Sequence, residues 1–121
     1  MLLGMITTVD GGDDDTATQV LDVRERFPAN ATYAQASAHR VPRSERSPDG
    51  VKYSMQYGRT DAPEGEDGTI VRHDNFPDHP DAPLHHKHTE DGEIEPVDFD
   101  GLLDLYREFK QEVRDYGEPW D

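Results

Sequence analysis

Between Arg72 and His88 lie five of the chain's six histidines, His73, His79, His85, His86 and His88, with an Asp74-Asn75 pair and prolines spaced three apart at Pro77, Pro80 and Pro83. Imidazole changes charge near neutral pH and is a common metal ligand, so function is sought first in this stretch. In an extended segment His86 and His88 point to one side, about 6.5 to 7 Å apart along the strand, and His85 and Lys87 to the other. Facing a phosphodiester, one ring of the pair can take the proton of a ribose 2'-hydroxyl while the other protonates the leaving oxygen. Asp74 and Asn75 would orient the rings, and Arg72 or Lys87 would offset the charge that builds on phosphorus. This chemistry is metal-independent and calls for no cofactor. Facing a cation instead, His86 and His88 are two ligands that need a third, from His73, His79 or Asp74, with a position left open for water. A third reading has no enzyme in it: the histidines fix a loop of a binding protein, and Asp74-Asn75 is a turn at the end of a strand.

The composition narrows the setting in which this happens. Within 121 residues there is room for one domain and one modest core. Acids outnumber bases 27 to 12, aspartate leads glutamate 17 to 10, arginine leads lysine 9 to 3, and the net charge is -15. With clear strand and helix patterns present, that balance suits a folded cytoplasmic protein kept soluble in concentrated salt by a hydrated acidic surface. The charge is uneven: residues 1–20 carry -4, residues 21–60 carry +3 and residues 61–121 carry -14. The basic middle holds Arg40, Arg43, Arg46, Lys52 and Arg59 with Tyr53 and Tyr57 interleaved, which is the chemistry of a surface that grips phosphate and stacks bases. The alternative is that these bases pair with the surplus of acids. The absence of cysteine excludes disulfides, thiolate zinc sites and a cysteine nucleophile. No apolar run approaches the roughly 18 residues of a membrane span, so no membrane partner is expected.

The elements that must position the histidines follow from periodicity. Residues 1–18 end in a run of glycine and aspartate and read as a disordered acidic tail, leaving 19–121 as a single domain. Strands are expected at Gln19–Phe27, Thr32–Val41, Val51–Tyr57, Thr69–His73 and Leu84–Thr89. Val51, Tyr53, Met55 and Tyr57 alternate with polar residues, and Ala34, Ala36 and Ala38 do the same one strand earlier. Asp91-Gly92 marks a turn. A helix is expected from about Phe99 to Tyr116, capped by Asp98 and stopped by Gly117 and Pro119, with Phe99, Leu102, Leu103, Tyr106, Phe109, Val113 and Tyr116 as its apolar stripe. The fold class is therefore α+β: an antiparallel sheet of about four or five strands with one long C-terminal helix packed on it.

Five features in this order resemble the TumE-like toxin family across about residues 40–115. They are Val41-Pro42, the strand opening Gly50–Ser54, Asp74-Asn75 after a strand, the H-x-H of His86-Lys87-His88, and a closing helix with Leu-Leu-x-x-Tyr-x-x-Phe at Leu102–Phe109. The resemblance implies the toxic partner of a two-gene toxin–antitoxin pair, neutralised by a cognate antitoxin with a DNA-binding helix-turn-helix. Combined with the residues above, the expected activity is RNA cleavage. His86, His88, Asp74 and Asn75 form the catalytic set, and Arg72, Lys87, Arg43 and Arg46 the substrate contacts. The metal version would use His86, His88 and His73. RNA is a further partner on this reading, and the oligomeric state is open, a homodimer included.

Overall fold

The computed structural model describes residues 17–45, 47–76 and 83–121. The expected tail through Thr16, Arg46, and the segment holding Pro77, His79 and Pro80 lie outside the described residues. Six strands form one antiparallel sheet in chain order: β1 (Thr18–Phe27), β2 (Thr32–Arg40), β3 (Val51–Arg59), β4 (Thr69–Asp74), β5 (His86–Thr89) and β6 (Ile94–Pro96). A helix, α1 (Leu102–Asp115), completes the described elements of this α+β fold.

Strand alternation decides the two faces. Ala34, Ala36 and Ala38 of β2, Tyr53, Met55 and Tyr57 of β3 and Val71 of β4 are all buried in one cluster with Leu105, Phe109 and Val113 of α1. Alanine is a poor strand former. Its small side chain leaves room over β2 for larger groups in the same cluster, Phe27, Phe109 and Trp120. Trp120 closes that cluster, meeting Phe27 and Phe109 edge-on with ring centroids 6.0 and 6.1 Å apart. The β3–β4 register shifts between Tyr57 and Gly58. A Cβ on Gly58 would lie 2.9 Å from the Gly68 carbonyl oxygen and 3.1 Å from the Tyr33 ring, so only glycine fits that crossing.

Two details depart from the periodicity. The sheet has a sixth strand, β6, because the Asp91-Gly92 turn folds the chain back onto β5; Thr89 N–H donates to Glu93 O and Gly92 N–H to Thr89 O, both at 3.0 Å. The proline at its end pairs with His86 on an edge strand, where a missing N–H costs nothing. The helix also starts later than Asp98 suggests. Its N-cap is Gly101 at φ 117°, with no side-chain cap, so Phe99 sits ahead of the helix and stacks on His85 with centroids 4.3 Å apart. The buried ridge becomes Leu105, Phe109 and Val113, four residues apart, while Leu103 is 60% exposed. Asp104 in the first turn and Arg114 in the last complement the helix dipole.

Candidate functional site

β4 and β5 pair so that Asp74 lies opposite His86 and Arg72 opposite His88. With a period of two, these four side chains share the face of the sheet turned away from α1, and His73 and Lys87 share the other. On the face away from the helix the Asp74 carboxylate is fully buried and four groups converge on it. Arg72 Nε donates to Oδ2 at 2.9 Å and the Phe76 backbone N–H to Oδ1 at 3.0 Å. His86 Nε2 lies 3.0 Å from Oδ1 and His88 Nε2 3.5 Å from Oδ2. The two imidazoles meet edge to face, with centroids 4.8 Å apart at 78°.

The rings differ in access. His86 is fully buried, and its Nδ1 lies 2.8 Å from Pro83 O and 3.2 Å from Leu84 O. Carbonyl oxygens only accept, so Nδ1 carries the proton and Nε2 is the nitrogen turned to Asp74. That nitrogen is buried yet off the line of any hydrogen bond. His88 keeps 19% of its side chain exposed and Arg72 33%. An incoming molecule therefore meets His88 and Arg72, with Asp74 and His86 behind them.

Asn75 and His73, both offered as site residues, stand elsewhere. Asn75 is turned into the end of the sheet, donating from Nδ2 to Val51 O at 2.7 Å and accepting from Tyr53 N–H at 3.1 Å. His73 faces the helix, where its Nε2 is 2.7 Å from Glu112 Oε1 and its ring meets Phe109 edge-on. The same carboxylate holds Lys87 at 3.1 Å, so Lys87 is not on the face where Asp74 sits. Burial pushes the Glu112 carboxyl up, but the hydrogen bonds and charges of His73 and Lys87 together hold it below the ordinary range. His85, between them in sequence, bonds Tyr53 OH through Nδ1 (2.9 Å) and Asp49 Oδ2 through Nε2 (2.6 Å). Burial, with the nearby charges of Asp74 and Asp49, pushes the Tyr53 hydroxyl up, so it stays protonated.

Sequence reasoning missed the surroundings of the centre. Across five strands the register sets Arg24, Gln35, Gln56, Arg72 and His88 side by side, a polar row that ends at the centre. Gln35 belongs to the polar phase of the alanine strand, but only the pairing shows that it lines up with Arg72. Gln56 Nε2 donates to Tyr33 OH at 2.5 Å, tying the row to an aromatic ring.

A family model described as Toxin TumE matches residues 9–116. The chain belongs to the TumE toxin family. No curated protein and no solved structure matches it significantly. Membership in the TumE family implies a toxin component and a cognate antitoxin. The basic segment of this TumE-family chain divides. Arg59 pairs with Glu90 across the surface, and Tyr53 and Tyr57 are buried under the helix, where they cannot stack on bases. Arg43 stays exposed in the β2–β3 loop, at the same end of the sheet as Asp74 and His86, and Lys52 and His39 pair on the face away from the helix. Among the described residues no helix is long and apolar enough to cross a membrane.

Proposed function

We propose that this TumE-family toxin cleaves RNA at the Asp74, His86 and His88 centre, on the sheet face that α1 leaves open. The observation that carries the proposal is the β4–β5 register, which places a buried carboxylate against two imidazoles at the end of a row of amide and guanidinium donors. Arg24, Gln35 and Gln56 would track the strand, and Arg72 would hold the scissile phosphate, for which its planar fork is suited. Arg43 would extend the grip at the end of the sheet where Asp74 sits. His88 is the imidazole that meets the substrate; Asp74 orients it, and His86 buttresses Asp74 from behind. The cognate antitoxin, with a DNA-binding helix-turn-helix, would neutralise the toxin. A cytoplasm rich in salt suits the acidic surface. At about 1 M salt the Debye length is about 3 Å, so short hydrogen bonds along the row, rather than long-range attraction, would supply the affinity.

Expression of wild type and of a His88→Ala variant without antitoxin tests this. Wild type should arrest growth and leave cut RNA, and His88→Ala should do neither while accumulating as folded protein. Equal arrest by both would remove the site from the toxic mechanism. Purified wild type that degrades no RNA yet binds a neighbouring gene product would point to a toxin acting by binding alone.

A further inference from the structure

We infer that Asp74, His86 and His88 form a binding site for a divalent first-row transition metal ion. The His86 tautomer points to it. Its Nδ1–H is committed to the Pro83 and Leu84 carbonyls, so in the neutral ring Nε2 presents a lone pair. That lone pair sits 3.0 Å from a carboxylate oxygen, in a spot with no exposed surface and no hydrogen bond. Two lone-pair atoms held this close repel each other unless something positive lies between or beside them. A proton on Nε2 would have to point along the N–O line to meet the carboxylate, and the ring is turned off that line. A cation placed beside both atoms satisfies them without requiring it.

The donor set points the same way. Ligand atoms of Asp74, His86 and His88 all lie within 4.8 Å of one another. Metal bonds of about 2.0 to 2.2 Å put two donors on one ion about 3 Å apart when adjacent and at most about 4.4 Å apart when opposite, so the carboxylate's separations from the two imidazoles already fit. The widest separation, within 4.8 Å, must close by about 0.4 Å or more on binding. Two imidazoles and one carboxylate suit manganese, iron, cobalt, nickel or zinc, and leave coordination positions open. The outer contacts are those that such sites use: a backbone carbonyl fixes the ligating histidine, and Arg72 and the Phe76 N–H hold the carboxylate.

Reaction chemistry favours the same ion, and to that extent the inference rests on the RNA-cleaving reading. Passing a proton on and off a phosphodiester with two imidazoles needs both at the substrate, and His86 is sealed. An ion held by Asp74, His86 and His88 would supply a bound water for the proton transfer that the hidden ring cannot perform.

Binding can be tested without RNA. Protein stripped with a chelator would be titrated with Mn2+ alone and with Zn2+ alone, following calorimetry, metal retained per chain and melting temperature. Wild type should take up one ion of at least one of the two metals per chain and melt higher when loaded. His88→Ala, which removes the most accessible ligand, should weaken binding by at least about tenfold. His39→Ala, on β2 opposite Lys52, should leave it unchanged. Folded wild type that binds neither ion, equal binding by wild type and His88→Ala, or loss in His39→Ala alone would each overturn the site. RNA cleavage that persists undiminished in chelator would also overturn it, and would leave the RNA-cleaving reading standing. A bound ion with no RNA degraded would do the reverse.

Discussion

Neighbours in sequence do unlike work at the end of β4. Asp74 turns to the face that carries the centre; Asn75, one residue on, clips β4 to the start of β3 through two backbone bonds. The two roles separate by measurement. Asn75→Ala leaves a buried carbonyl and a buried N–H without partners and should cost about 1 to 3 kcal/mol of stability, with toxicity intact at a temperature where the variant is folded. Asp74→Asn keeps the shape but removes the charge that His86, His88 and Arg72 share. It should abolish toxicity, with a smaller loss of melting temperature than Asn75→Ala produces. Growth arrest and thermal denaturation of the two variants check the contrast. That H-x-H places two rings on one face could be read from the period of a strand. Which of Asp74 and Asn75 joins them could not, because that depends on where β4 stops pairing with β3, and the register shift at Gly58 has no mark in the local pattern beyond one glycine.

At the scale of elements, the helix shows how a correct stripe can be misphased. Counting from Asp98 includes Leu103 and omits Leu105, whereas starting at Gly101 makes Leu105, Phe109 and Val113 the buried ridge. Residues two apart on a helix differ by about 200°, so Leu103 and Leu105 cannot both face the sheet. Phe109→Ala should therefore cost about 3 to 5 kcal/mol, and Leu103→Ser less than about 0.5 kcal/mol, in chemical denaturation. A loss of comparable size in both would mean that the ridge faces elsewhere. Gly58 carries a similar demand within the sheet. An alanine there would force apart backbone rather than a flexible side chain, so Gly58→Ala should destabilise the β3–β4 pairing and, through it, the position of Asp74.

Over the whole molecule, the last residues tie the two ends of the fold together. Gly117 and Pro119 mark a helix stop in the sequence, but nothing local shows that Glu118 returns to the first three strands, since its partners lie 61 to 88 residues away, or that Trp120 meets Phe27 of β1. The Glu118 carboxylate is 5% exposed and accepts from Asn30 Nδ2 (2.6 Å), Tyr57 OH (2.5 Å) and Thr32 Oγ1. Burial alone would raise its pKa, yet the three donors outweigh it and hold the carboxyl below its ordinary value of about 4.5. Burial and the bond to Glu118 push the Tyr57 hydroxyl up to about 12, so the donor keeps its proton across the neutral range. The folded state therefore favours the ionised glutamate more than the unfolded chain does. Its stabilisation is complete above the unfolded value and is lost as the pH falls through the lower, folded one. Wild type should lose melting temperature below about pH 4.5, in part through this carboxylate. Glu118→Gln keeps a neutral acceptor, so at pH 7 it should be less stable by about 1 to 2 kcal/mol, the difference between charged and neutral hydrogen bonds. The gap between the two proteins should then shrink as the pH falls, because acid neutralises only the wild-type side chain. Melting curves of both from pH 7 to pH 3 decide it, and parallel curves would place the acid sensitivity in the other carboxylates of this strongly acidic chain.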